Sequence, residues 1–156
     1  MTQSKSDFYK SLPAKRMGAG ILFFNLQKEF LIVQPSYKDT WEIPGGIVEL
    51  NESPRQAALR EVSEELGLAI NPATLSLMCV EYMFEGVEKT EALMFIFSGG
   101  MLTDSQIAEI KLEEAELKSY RFVSPSSGIE LLGSVLGARI KRCIEAESCF
   151  YSEGKY

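Results

Sequence analysis

Residues 46–68 read GIVELNESPRQAALREVSEELGL, and this stretch restricts the fold more than any other in the chain. Ser53 stands where a helix N-cap belongs, Pro54 fits the first turn, Gln56 completes a capping box, and Gly67 supplies the stop. The punctuation predicts a helix of roughly three to four turns. At about 100° per residue, Glu61, Glu64 and Glu65 share one face with Ala57 in its middle, while Leu59, Val62 and Leu66 fall on the other. Carboxylates at these offsets repel by roughly a few tenths of a kcal/mol per pair. Two readings resolve that repulsion: a solvated acidic face, the commoner case for an arbitrary glutamate-rich helix, or coordination of a hard divalent cation such as Mg²⁺ or Mn²⁺.

The rest of the composition narrows the chemistry. The chain has no histidine, which excludes triads with a histidine base and histidine-ligated metals. Its three cysteines, Cys79, Cys143 and Cys149, form no C-x-x-C pair, so neither a zinc site nor a disulfide framework is indicated. Cys79 reads as a core residue and the other two as incidental thiols. General-base work falls to carboxylates. The net charge of −6, from 22 acidic against 16 basic residues with no basic cluster, argues against a nucleic acid polymer as partner. It leaves a small phosphorylated ligand open, because a metal ion bridges acidic protein and acidic substrate.

At 156 residues, 46% of them hydrophobic and 24% charged, the chain is the size of one domain spanning 1–156. The apolar run 17–24 follows Lys15 and Arg16 but ends at Asn25 without a small-residue cleavage pattern. It reads as a strand, and the expectation is a cytoplasmic protein with no membrane partner. Residues 1–12 lack a pattern apart from Phe8 and Tyr9 and read as an N-terminal arm. Strands are predicted at 16–24 and 29–34, forming a hairpin about a turn at 25–28, then a polar loop at 36–40 and a tight turn through Trp41, Pro44, Gly45 and Gly46. Beyond the central helix, 74–84 and 91–98 read as strands, 103–110 as a helical turn, 112–117 as an acidic run and 119–123 as a short strand. A last helix over 129–146 places Leu132, Val135, Leu136, Ile140 and Ile144 at helical spacings, and 149–156 reads as a frayed C-terminal tail. The order of elements predicts an α/β domain with helices covering a mixed sheet.

The central stretch resembles the box of the Nudix hydrolases, G-x5-E-x7-R-E-U-x-E-E-x-G-U with U aliphatic. Gly46, Glu52, Arg60, Glu61, Val62, Glu64, Glu65, Gly67 and Leu68 supply all nine specified positions, and the preceding WEIPG is similar to the family's approach to the box. The resemblance implies a Nudix-type α/β/α sandwich with a mixed sheet, and hydrolysis of a nucleoside diphosphate linked to another group with Mg²⁺ or Mn²⁺ as cofactor. It implies Glu61, Glu64 and Glu65 as metal ligands with a carbonyl at Gly45 as a further contact. Arg60 would orient a glutamate, and Glu52 would either serve a second metal or pair with Arg60. The base is Glu61 or, on a later loop, Glu116, with Glu113 and Glu114 behind it; each of these three also reads as part of a solvated charge run.

Substrate contacts are less sharply marked. Trp41 reads as a hydrophobic plug or a ligand contact, and Tyr82, Phe84, Phe95 and Phe97 as core or as stacking surfaces. Gln34 stands where some members carry a phosphate-holding arginine, with Lys38 as a substitute. No subfamily signature follows the box: Met83 occupies the position where ADP-ribose hydrolases show proline. By elimination, a nucleoside triphosphate or related small nucleotide is the expected substrate, with ADP-ribose, a nucleotide sugar or a dinucleoside polyphosphate as alternatives. A non-catalytic nucleotide-binding module is the reading from another class, although such proteins commonly lose a box glutamate and all are present here. Many relatives are homodimers, which the resemblance leaves open for this chain.

Overall fold

The computed structural model describes residues 4–156; of the expected N-terminal arm, residues 1–3 lie outside the described residues. The first element is a short helix α1, Lys5–Ser11, capped by Ser4 and with no buried residue. The described part of the arm is therefore largely helical and exposed.

Seven strands form one mixed sheet: β1 (Arg16–Phe24), β2 (Phe30–Pro35), β3 (Gly45–Ile47), β4 (Ser76–Met83), β5 (Ala92–Met101), β6 (Leu117–Val123) and β7 (Phe150–Gly154). They lie in the order β6-β2-β1-β5-β4-β7, with β3 branching from β1. The β1–β5 and β4–β7 pairs are parallel and the others antiparallel. The period-2 alternation of a strand explains how β1 serves two cores: Ile21 and Phe23 point to one face and Leu22 to the other. Helix α2, Pro54–Leu66, covers the first face through Ala57, Ala58, Val62 and Leu66, packed with Val33 and Phe97. Helices α4 (Pro125–Leu131) and α5 (Gly133–Glu145) lie on the other, where Leu132, Ile140 and Cys143 meet Phe30, Ile32, Cys79 and Ile96. This is the expected α/β/α sandwich. A short helix α3, Asp104–Ala108, occupies the predicted helical turn.

Three expectations need correction. The predicted helix over 129–146 is two helices, because Pro125 starts a turn capped by Ser124 and Gly133, at φ 76°, breaks the chain's path before α5. The tail is not frayed: Phe150–Gly154 forms β7 and pairs Ser152 with Glu81 on β4. Cys143 is buried, and its thiol donates to Cys79 Sγ at 3.4 Å, whereas Cys149 is exposed. Among the described residues, no helix is long and apolar enough to cross a membrane.

The capping box on α2 forms as predicted. Gln56 N donates to Ser53 Oγ at 3.2 Å, Ser53 N donates to Gln56 Oε1 at 2.9 Å, and Gly67 closes the helix in the left-handed conformation. Ser53→Ala should lower unfolding stability by about 1 kcal/mol in urea titrations; a loss below about 0.3 kcal/mol would show that packing, not the cap, sets this helix start.

Candidate active site

The site is built where α2 meets β3. Strand β3 is held on β1 by the pairs Gly18 with Ile47, Ala19 with Gly46 and Gly20 with Gly45. Gly45 has φ 147°, and a Cβ there would lie 2.2 Å from the Ala19 carbonyl oxygen. A Cβ on Gly46 would lie 2.3 Å from Glu61 Oε1. Two residues without side chains thus let the backbone approach the helix carboxylates directly. Gly45 N donates to Glu65 Oε2 at 3.0 Å.

This docking corrects the simple picture of an acidic face turned to solvent. Ala57, placed by helical spacing in the middle of the glutamate face, is wholly buried, and Glu65 is 9% exposed. Glu61 is half-buried, and only Glu64 of the three is exposed. Burial pushes the Glu65 carboxyl up to about 8 against the opposing hydrogen bond from Gly45, with the charges of Glu61, Glu116 and Glu42 adding to the rise. Burial likewise raises Glu61, partly offset by Arg60, while Glu64 and Glu116 push in the same direction as burial.

Arg60 organises these groups. Its Nε and Nη2 make a bidentate pair with Glu52 at 2.8 and 3.1 Å, and Nη2 also donates to the Ile47 carbonyl at 3.1 Å. Its Nη1 lies between Glu61 at 2.9 Å and Glu64 at 3.0 Å. Hydrogen bonding to Arg60, with help from Glu49 N, holds the Glu52 carboxyl below the usual range. In this arrangement no three acidic or cysteine side chains among the described residues stand close enough to hold one ion. The oxygen donors are nevertheless of the type a hard divalent cation takes, and Arg60 Nη1 occupies the space between two of them.

Glu116 belongs to the same neighbourhood. The acidic run carrying it is tied to the end of α2, with Lys111 N donating to Leu66 O at 2.9 Å and Glu113 N to Glu65 O at 3.2 Å. Its charge acts on both Glu61 and Glu65.

On the opposite face of β1 and β3, a cleft of about 730 Å³ opens between the sheet and α5, a size suited to a small-molecule ligand. Gly45 and Gly46 form one wall, so the carboxylate site and the cleft share the backbone of β3; Lys38, Trp41, Met94 and Arg139 contribute elsewhere. Trp41 is 8% exposed and packs with Ile43 in the core, with the Arg121 guanidinium 4.1 Å above its ring. It is a plug that also lines the cleft. Lys38 pairs with Glu42 at the rim. Gln34 accepts from Ser119 Oγ at 3.2 Å and is committed to the sheet. Tyr82 does not line the cleft: its hydroxyl donates to Glu91 and its ring packs edge-on to Phe84 at 5.0 Å. Phe95 and Phe97 pack in the core beneath α2.

Sequence reasoning missed Arg139 altogether. The available signal was a lone cation on the apolar face of α5, three residues from Leu136 and four from Cys143.

An α/β/α sandwich whose capped helix carries an arginine-braced set of glutamates, set against a glycine pair on the rim of a ligand-sized cleft, defines the Nudix class of domain. Residues 14–136 match the NUDIX domain, and the chain belongs to the Nudix family. An RNA pyrophosphohydrolase of Hydrogenovibrio crunogenus (strain DSM 25203 / XCL-2) is 40% identical over 53 residues, 34% of this chain and 32% of that protein. An 8-oxo-dGTP diphosphatase of Proteus vulgaris is 54% identical over 35 residues, 22% of this chain and 31% of that protein. The matches thus span about a third of the length of these two relatives. Among solved structures, the MutT protein from Methanosarcina mazei Go1 superimposes with a TM-score of 0.69 over 86% of this chain and 96% of that one, at 24% identity, a likeness of fold.

The raised Glu65 value carries a sign. Between the ordinary carboxylate value and about 8, the metal-free folded chain holds a proton that the unfolded chain has lost, so stability falls as pH rises through this window. Chelator-treated protein should show a melting temperature that declines from about pH 5 to pH 8, and Glu65→Gln should flatten most of that slope, the part due to the likewise raised Glu61 remaining. A slope unchanged in the variant would assign it to another group.

Proposed function

We propose that the chain is a divalent-cation-dependent hydrolase that cleaves a nucleoside triphosphate or related small nucleotide within its phosphate chain, releasing a monophosphate. The observation that carries this reading is the shared wall: Gly45 and Gly46 contact Glu65 and Glu61 on one side and line a nucleotide-sized cleft on the other. A nucleoside seated in the cleft would extend its phosphates past β3 toward the carboxylates. The names of the matched pyrophosphohydrolase and diphosphatase support the same class of bond.

Glu61, Glu64 and Glu65, with the carbonyl of Gly45, would hold Mg²⁺ or Mn²⁺. When bound, such an ion neutralises the diphosphate and lowers the pKa of a water molecule. Arg60 surrenders its Nη1 contacts to Glu61 and Glu64 while its bidentate hold on Glu52 keeps the guanidinium beside them. Glu61 or Glu116 takes the proton of the attacking water; both lie close enough to interact with the buried Glu65, and neither competes with a histidine. Lys38 offers a cation to the phosphates at the rim, and Trp41 offers apolar surface to the sugar or base. The substrate is a small nucleotide rather than a polymer, in keeping with the excess of acidic residues.

A screen of nucleoside triphosphates, ADP-ribose, nucleotide sugars and dinucleoside polyphosphates with product identification tests the substrate. Glu64→Gln and Glu65→Gln should each lower turnover by on the order of 100-fold or more, since each removes part of the ion's stabilisation of developing charge. Circular dichroism should remain that of the wild type. Wild-type rates in both variants at saturating Mg²⁺ would overturn the assignment of the metal site.

A further inference from the structure

Helix α5 meets β4 in two rungs. In one, Arg139 Nε donates to the buried carboxylate of Glu81, which Arg142 and the Ser152 hydroxyl, at 3.1 Å, also hold. In the other, one helical turn along α5 and two residues back along β4, the Cys143 thiol donates to Cys79 Sγ at 3.4 Å. Cys79 is 0% exposed and Cys143 2%. The ionic rung fixes where α5 sits along the strand, so sulfurs 64 residues apart in the chain are kept opposite each other. A covalent bond between them needs an approach of roughly 1.4 Å, since bonded sulfurs lie about 2.0 Å apart.

Packing alone does not call for this pair. Leu22, Ile32, Ile96 and Ile140 share its cluster, and small aliphatic side chains would suit such a core. We propose that Cys79 and Cys143 form a reversible oxidation site, closed to a disulfide by a small hydroperoxide and reopened by a dithiol, that ties α5 to β4. The hydrogen bond from Cys143 holds the Cys79 thiol below its ordinary value despite burial, with Arg139 and Arg142 acting in the same direction and Glu81 against it. The same hydrogen bond, with burial, raises the Cys143 thiol. Cys79 is therefore the attacking sulfur and Cys143 the resolving one. Access comes from the cleft: Ile96, the β5 partner of Cys79, lines it with Leu136 and Arg139, and Cys143 lies one helical turn, roughly 6 Å, beyond Arg139. With hydrogen peroxide, the Cys79 thiolate attacks one oxygen, the O–O bond breaks, and the departing hydroxide takes up the thiol's proton, leaving a sulfenic acid. The Cys143 sulfur then attacks Cys79 Sγ; the S–S bond forms, the S–O bond breaks, and the second hydroxide leaves with the Cys143 proton. Two thiols lose two electrons, and the peroxide ends as two water molecules. No nucleotide takes part, so the proposal stands apart from the hydrolase reading.

The test uses Cys149→Ser, which removes the exposed thiol that would otherwise link chains. The protein is treated with hydrogen peroxide below its melting temperature, alkylated in denaturant, digested and mapped by mass spectrometry. A linked peptide pair containing Cys79 and Cys143 should appear, two hydrogens lighter than the separate peptides, and dithiothreitol should restore both thiols. The linked protein should melt on the order of 5 to 15 °C higher than the reduced one, because the bond closes a loop of 64 residues. Cys143→Ala in the same background should show neither link nor shift. Three results overturn the proposal: both thiols still alkylated after a dose that oxidises Cys149 in the unsubstituted chain, sulfinic acid at either residue in place of the link, or a linked protein that melts below the reduced one.

Discussion

The contact on which the rest depends is the approach of β3's glycine pair to the glutamates of α2. A hydrogen bond from Gly45 N to Glu65, and the missing Cβ of Gly46 beneath Glu61, dock the helix on the sheet by its polar side as well as by its alanines. A methyl group at Gly45 would collide with the β1 backbone at Ala19 and Gly20, and one at Gly46 with the Glu61 carboxylate, so a side chain at the first position must spread the strands and one at the second must displace Glu61. The same docking strips water from Glu65, which is why that carboxyl holds its proton so much longer than an exposed one. Packing and reactivity are set together.

The sandwich distributes two tasks between its faces. The α2 side gathers carboxylates around Arg60, and the α5 side encloses the cleft; β1 and β3 are the thin partition between them. Alternation along β1 sends Ile21 and Phe23 to one core and Leu22 to the other, so both faces are anchored by the same few residues. Under the proposed function, a ligand reaching past β3 would be held at one end by α5 and the cleft and met at the other by α2.

What could be read from the amino-acid sequence was what local signals specify. The cap at Ser53, the stop at Gly67 and the carboxylate spacing define α2 without reference to any partner, and the β1–β2 hairpin follows from two apolar runs about a turn. Features that depend on distant partners were not legible. β7 is a short, half-exposed edge strand whose order comes from β4, some seventy residues earlier, so its residues carry no pattern of their own. Helical periodicity orders Glu61, Glu64 and Glu65 relative to one another, but burial of Glu65 depends on where β3 lies. Arg139 reads as an ordinary long side chain on an amphipathic helix until Glu81 on β4 is placed beside it. Gly133 had the opposite effect: one residue in a continuous apolar pattern divides what spacing alone would join.

Arg60 has a consequence for how the chain lives without metal. With Nη1 between Glu61 and Glu64 and its other nitrogens on Glu52, it serves as a resident counter-ion for the glutamates. Folding need not await metal supply, as it must where a structural ion alone offsets its ligands' charge. An ion held by these glutamates, as proposed, would be an exchangeable guest on a finished scaffold, and its arrival a swap of one cation for another.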